Sequence, residues 1–565
     1  MRWLRIAVVS IALLCTPATA LAQEKQHTAI GSGGAAATVD PLASAAAIDA
    51  LRDGGNAVDA AVAAAGVLGV TEPFSCGIGG GGFMVIRTPD GGITTIDSRE
   101  EAPAGMKPRS FFENGVVLPF NDARFSGLSA GVPGTVDGWQ RALRRYGSWS
   151  IGRALRAGID TARHGFVVDR TFVSQTEPVV DWFDDIPSTA ALHLDPDGTP
   201  RDEGSVLRNP DLADTYRLVA RAGASAFYEG RLAEEIAAAA ADPPIGPEAD
   251  HVWRSGLMTV RDVGSYEALE RPPTRVGYRG LDVYGMGPPS SGGSTVGEAL
   301  NILEGYDLAA MGRTQGLHLF LEASRFSFAD RGAFIADPEF FDVPLEELLS
   351  DDFAAERRAL IDPARASTSP VAPGEPGQET THLVVSDRKG TVVSYTFTIE
   401  STGGNGVVVP GRGFLLNNEL TDFNIDMPRH PNKPDGGKRP RSSMSPTIVL
   451  DDGRPFLALG SPGGSMIITT VLQILLERLD LGATLPQAIA QPRASQRNTA
   501  ATSAEQAFID SPEAGALIAK GHSFMSTPEI GAATGIEFLR DGRVLAAAEP
   551  LRRGGGSAMV ERPEP

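Results

Sequence analysis

Between Ala43 and Val67 the run ASAAAIDALRDGGNAVDAAVAAAGV repeats small apolar residues at helical spacing, broken once at Gly54-Gly55. This pattern predicts two closely packed helices. From Gly82 to Glu100 the run GFMVIRTPDGGITTIDSRE predicts strand, turn and strand. Residues 150–350 carry mostly helical patterns separated by Pro/Gly loops. Residues 361–379, IDPARASTSPVAPGEPGQE, hold four Pro, two Gly and few large apolar residues, and predict a linker. Beyond it three hairpins are expected: 380–399 around DRKG, 446–460 around DDG and 535–548 around DG. Between the last two, SPGGSMIITTVLQILLERLD predicts a glycine turn followed by a strongly apolar helix. Antiparallel hairpins flanked by apolar helices predict an α+β layered fold, with stacked sheets covered by helices.

At 565 residues the chain exceeds what one compact core usually holds, so two domains or one large multilayer domain is expected. The first 22 residues predict a secretion signal. Arg2 and Arg5 precede the short apolar run IAVVSIALL, and Ala20–Ala22 offers small residues before Gln23. Its removal takes two Arg and no acids, leaving 48 basic against 70 acidic residues and a net charge of −22. So acidic a surface disfavours nucleic acid and anionic lipid, and points to a small-molecule or peptide partner. A secreted or periplasmic location follows, with no membrane attachment once the signal is gone. Cys15 departs with the signal, so Cys76 stands alone and reads as a buried structural thiol. The eight His show no H-x-x-x-H pair, and neither a metal nor an organic cofactor is expected.

Three motifs compete for attention. GLSAG at Gly127–Gly131 matches a nucleophile elbow around Ser129, but a charged, irregular stretch precedes it and Val132-Pro133-Gly134 follows. The glycine runs Gly31–Ala36 and Gly77–Gly82 fit a dinucleotide fingerprint on paper. The second leads into a strand and the first has no clear strand ahead, so both read as tight backbone turns. The third is Thr380, where the linker meets the first hairpin. A Thr hydroxyl is a poor nucleophile until a base takes its proton. An N-terminal Thr carries its own base, an α-amine with pKa near 8. For Thr380 this requires cutting Glu379–Thr380, by an N→O acyl shift and hydrolysis of the ester; an ordinary strand-start Thr is the alternative.

TTHLVVSD, GFLLNNELTDFN, KRPRSSMSPTIV and LGSPGGSMIITTVLQ occur in this order, with GGNAVDAAVA, GIGGGGFMVIR and DSREEAP upstream. Together they resemble the γ-glutamyltransferase (γ-glutamyltranspeptidase) family of the N-terminal-nucleophile hydrolases, over nearly all of the mature chain. The resemblance implies a four-layer αββα sandwich. It also implies a precursor that cuts itself into a large subunit, 23–379, and a small one, 380–565, which together form one intertwined domain. Thr380 resembles the nucleophile, Thr398 the second Thr that orients it, and Gly463 and Gly464 the oxyanion-hole pair. For the substrate's glutamyl end, Arg99, Ser442 and Ser443 resemble the α-carboxylate binders; Glu400, Glu419 and Asp422 occupy the ammonium-binding positions. The implied reaction cleaves γ-glutamyl amides such as glutathione and passes the glutamyl group to water, an amino acid or a peptide.

Some members carry Asn in place of Glu400 and Gln in place of Glu419, which alters the expected ammonium affinity. Only 19 residues separate Asp422 from Ser442, with no Tyr, so the chain resembles lidless members with an open pocket. Three rival functions stand beside this one: a glutaryl or cephalosporin-type acylase of the same fold, a non-catalytic glutamyl-peptide binding protein, and a serine hydrolase using Ser129.

Overall fold

A computed structural model describes residues 25–367 and 380–564. The expected signal peptide and residues 368–379, with the Glu379–Thr380 bond, lie outside them. The helices expected over 43–67 are α1 (Pro41–Arg52) and α2 (Ala57–Thr71). Asn56 caps α2 by accepting from the N–H groups of Val58 and Asp59, and Asp59 returns the bond to Asn56. That capping box starts a new helix immediately after the glycine pair.

Thirteen strands form one antiparallel sheet. In chain order they are β1 (Thr28–Thr38), β2 (Gly81–Arg87), β3 (Ile93–Asp97), β4 (Leu269–Arg271), β5 (Thr274–Tyr278), β6 (Leu281–Gly285), β7 (Thr381–Ser386), β8 (Val392–Thr398), β9 (Thr447–Asp451), β10 (Arg454–Gly460), β11 (Thr534–Phe538), β12 (Val544–Ala548) and β13 (Ser557–Pro563). Their order is β4-β3-β2-β8-β7-β1-β12-β11-β10-β9-β6-β5, with β13 on the other edge of β1. All three expected hairpins are present: β7–β8, β9–β10 and β11–β12.

The sheet folds back so that its halves stack. Ser394 on β8 donates to the Leu459 carbonyl on β10 at 3.1 Å. The His382 ring on β7 lies against Gly460, where a Cβ would meet it at 2.3 Å. Alternate residues serve opposite faces: on β2, Met84 and Ile86 join the core under α1 and α2. Phe83 and Val85 join the core that reaches α3 (Gly292–Glu304), α4 (Arg313–Phe334) and α5 (Met466–Leu479). Strands buried on both faces read as continuous apolar runs. The result is the αββα sandwich, two helical layers enclosing two stacked sheet halves.

Two expectations change. The run Gly31–Ala36 is not a turn but the middle of β1. Its pairing shifts between Ser32 and Ala35, and Gly33 adopts φ 94°, a bulge that a side chain would strain. Thr28–Gly31 pair with β12 and Ala35–Ala37 with β7, so the bulge passes one strand from one sheet half to the other. Within the mostly helical region, Leu269–Gly285 forms strands β4–β6. On β5 buried and exposed residues alternate, the two-residue period of an edge strand.

Candidate active site

Thr380 immediately precedes β7 and Thr398 ends β8. The register pairs Thr381 with Phe397, which sets Thr380 opposite Thr398. Their hydroxyl oxygens lie 3.5 Å apart, and both residues are buried. Thr398 Oγ1 accepts the Glu400 N–H at 2.8 Å and faces the Glu400 carbonyl at 3.5 Å, which fixes its place beside Thr380. On the other side of β8 runs the glycine stretch that ends in β2. A Cβ on Gly80 would sit 1.8 Å from the Thr398 carbonyl oxygen, so only glycine permits this approach.

No His lines the cleft among the described residues. His382, two residues from Thr380, shares a hydrogen bond with Thr396 Oγ1 at 2.8 Å. Burial pushes its pKa down to about 3, so it stays neutral and packed between the sheets. Sequence reading missed Arg553, which donates from Nη1 to the Thr380 carbonyl and from Nη2 to Ser75 Oγ, each at 2.7 Å. Nothing in its local pattern marks it; the fold brings it 173 residues back to the start of β7.

Gly463 and Gly464, at φ 127° and 53°, form the turn into α5, whose first residue is Met466. Neither spends its N–H on a hydrogen bond among the described residues. They sit at the positive end of a 14-residue helix, a favourable place for negative charge. Gly464 and Thr380 line the same cleft, of about 110 Å³.

The charged groups expected at the glutamyl end converge there. Arg99 is fully buried. Its Nη1 pairs with Glu419 and its Nη2 with Asp422 at 2.5 Å, while Nε donates to the Pro440 carbonyl at 3.1 Å. Its fork is therefore occupied by the two acids expected to bind an ammonium. Burial pushes the Glu419 pKa up to about 7 against the pull of Arg99, and its Oε2 has no hydrogen-bond partner among the described residues. Glu400 is held at φ 80°, with Oε2 accepting from Ser401 Oγ (2.6 Å) and from Asn418. Burial, and the charges of Asp422 and Glu419, keep its carboxyl well above the ordinary range. The adjacent Glu100, fully buried, is raised likewise by burial and then by Glu419. Ser442 is bridged to Ser290 and accepts the Met444 N–H at 3.1 Å; Ser443 accepts from Arg331 Nη2 at 2.7 Å. Nine of the ten expected residues line one cleft directly, and Gly463 adjoins it through Gly464.

The segment between Asp422 and Ser442 is knotted by Asn432, which donates to the Asp422 carbonyl and accepts the Arg441 N–H, each at 2.8 Å. Ser129 lies in a short 3-10 turn, buried, its hydroxyl donating to the Arg124 (2.5 Å) and Ser126 (3.0 Å) carbonyls. That is no nucleophile elbow. Cys76 is buried, and burial drives its thiol pKa well up, in keeping with a structural role. One group that spacing did not reveal brings Asp185, Asp250 and His251 together. The Asp185 carboxylate there already accepts from His251, Trp253 and the Asp250 N–H.

Stacked antiparallel halves between helical layers, with a Thr at the head of a central strand, define an N-terminal-nucleophile hydrolase. The family model for gamma-glutamyltranspeptidase matches residues 43–559, and the chain belongs to that family. It is 36% identical to the glutathione hydrolase proenzyme of Bacillus subtilis (strain 168), covering 94% of this chain and 92% of that one. It is also 36% identical to the acylase ACY 1 proenzyme of Pseudomonas sp. (strain V22), covering 93% of each. The crystal structure of cephalosporin acylase from Bacillus halodurans superposes with a TM-score of 0.82 at 28% identity, covering 97% of this chain and 99% of that one. The chain is an enzyme of the γ-glutamyltransferase and glutathione hydrolase class.

Proposed function

We propose that Thr380 is the nucleophile of a γ-glutamyl hydrolase and transpeptidase, released by self-cleavage at Glu379–Thr380. The chain then exists as a large subunit, 23–379, and a small one, 380–565. The new α-amine takes the Thr380 hydroxyl proton, Thr398 orients the oxygen, and Oγ1 attacks the γ-carbonyl of a glutathione-like amide. The Gly463 and Gly464 N–H groups meet the oxyanion. The amine leaves, and water, an amino acid or a peptide opens the γ-glutamyl ester. Arg553 holds the Thr380 carbonyl and so fixes the strand end during both steps.

One observation carries this reading: Glu400, Glu419 and Asp422 converge with Arg99 on the cleft that holds Thr380 and Thr398. A glutamyl end is a zwitterion and can insert into that network. Its ammonium takes up the acids while its carboxylate takes Arg99 with the Ser442 and Ser443 hydroxyls, so each charge of the substrate meets an opposite one. The acylase alternative has support in the similarity to the Pseudomonas acylase proenzyme, but a glutaryl substrate has no ammonium for three acids to bind. The short, tied-down segment after Asp422 favours an open cleft that admits bulky donors. Among the described residues no helix is long and apolar enough to cross a membrane; the N-terminal pattern supports export behind a cleaved signal.

Intact-mass analysis of the mature protein tests the scheme. Two chains are expected, beginning at Gln23 and at Thr380, whereas Thr380→Ala stays whole and inactive. A single uncut chain that turns over γ-glutamyl anilide at full rate refutes it.

A further inference from the structure

The cleft holds four guanidinium groups: Arg99, Arg331, Arg441 and Arg497. Arg99 is neutralised by acids of its own chain. Arg331 and Arg497 form no ion pair among the described residues. Arg331 donates from Nε to Ser291 Oγ and from Nη2 to Ser443 Oγ, both at 2.7 Å. Arg497, 9% exposed, donates to Ser465 Oγ at 2.5 Å and to Ser503 Oγ at 3.3 Å, and its Nε is buried without a hydrogen-bond partner. Hydroxyls satisfy N–H groups but do not cancel charge, and an uncompensated buried cation is costly. Burial and the repulsion of Arg441 and Arg497, only partly offset by Asp422, draw the Arg331 pKa well down. A hydroxyl that accepts from a guanidinium keeps its own proton to donate, so Ser465 has a proton to offer in the cleft.

We infer that Arg331 and Arg497, with the Ser465 hydroxyl, form a second anion subsite that receives a carboxylate on the amine side of the reaction, whether leaving group or acceptor. Arg497 stands beside Ser465, the residue after the Gly463-Gly464 turn, whereas Glu419 and Asp422 are drawn to Arg99. The inference rests on the γ-glutamyl reading and adds a preference to it: amines bearing a carboxylate leave and accept better than neutral ones. The subsite joins residues distant in sequence, from α4, from the start of α5 and from the loop that carries Arg497.

The test compares γ-glutamyl-4-nitroanilide with γ-glutamyl-3-carboxy-4-nitroanilide on the processed enzyme. A charge-assisted contact predicts that the wild type favours the carboxylated anilide by roughly 10- to 100-fold in kcat/KM. Arg497→Gln should erase most of that ratio, Arg497→Lys should keep part of it, and added salt should shrink it. Product inhibition gives an independent reading: 5-amino-2-nitrobenzoate should inhibit more strongly than 4-nitroaniline, and Arg497→Gln should remove the difference. A wild type that treats both anilides alike overturns the inference, as does an Arg497→Gln variant that loses equally on both. If neither anilide is cleaved, the γ-glutamyl reading fails and the subsite with it. Cleavage of both without discrimination sinks the subsite alone.

Discussion

Replacing Glu419 by Gln isolates the electrostatics of the ammonium site. Gln keeps the size, and its Oε1 can still accept from Arg99, so the change is one charge at a buried position. The carboxyl of Glu419 is raised to about 7, first by burial. It is therefore neutral below that pH and charged above it. A substrate ammonium should bind Oε2, which lacks a partner in the described structure, only when the group is ionised. In the wild type, log kcat/KM for γ-glutamyl anilide should climb with pH toward about 7 and level off beyond. A hydrogen bond to a charged group is worth about 1.5–3 kcal/mol. Glu419→Gln should thus lower kcat/KM roughly 10- to 150-fold at pH 8. At pH 6 only about a tenth of wild-type Glu419 is ionised, and the gap should narrow by about tenfold. The control is glutaryl anilide, which lacks the ammonium: both proteins should hydrolyse it alike, and its rate should not follow this ionisation. An equal loss on both anilides, or an unchanged pH limb in the variant, would refute the assignment.

The hydroxyl of Thr398 can be deleted with little change of shape by Thr398→Val. Loss of its contact with Thr380 should cut kcat about 100-fold with KM nearly unchanged, and the orphaned Glu400 N–H should cost about 1–3 kcal/mol in denaturant unfolding. Gly80→Ala forces a Cβ to within 1.8 Å of the Thr398 carbonyl; a loss of about 3 kcal/mol or more is expected, read as a lowered melting temperature and poor self-cleavage. Ser129→Ala removes only two bonds to backbone carbonyls, so self-cleavage and kcat/KM should match the wild type while stability falls by about 1 kcal/mol.

Much of this architecture is written in local pattern. Period-two runs around DRKG, DDG and DG fix three hairpins, because a short polar turn between alternating strands leaves little choice but antiparallel pairing. Alanine at helical spacing, with Asn56 placed to cap, fixes α1 and α2. The motifs single out the expected site residues, and all of them except Gly463 line one cleft. Tertiary structure decided what no local window contains. The Gly31–Ala36 run reads alone as a turn; only its two different partner strands make it the bulge joining the sheet halves. Leu269–Gly285 becomes strand by pairing at the sheet edge. Arg99 and its acids are 320 or more residues apart, so their mutual neutralisation exists only once the fold closes. The same holds for Arg553 on Thr380, and for Arg331 and Arg497, which form no ion pair among the described residues. Hydrogen bonds and burial within a few residues are local and legible; charge balance is set by long-range packing and burial, which sequence spacing does not encode.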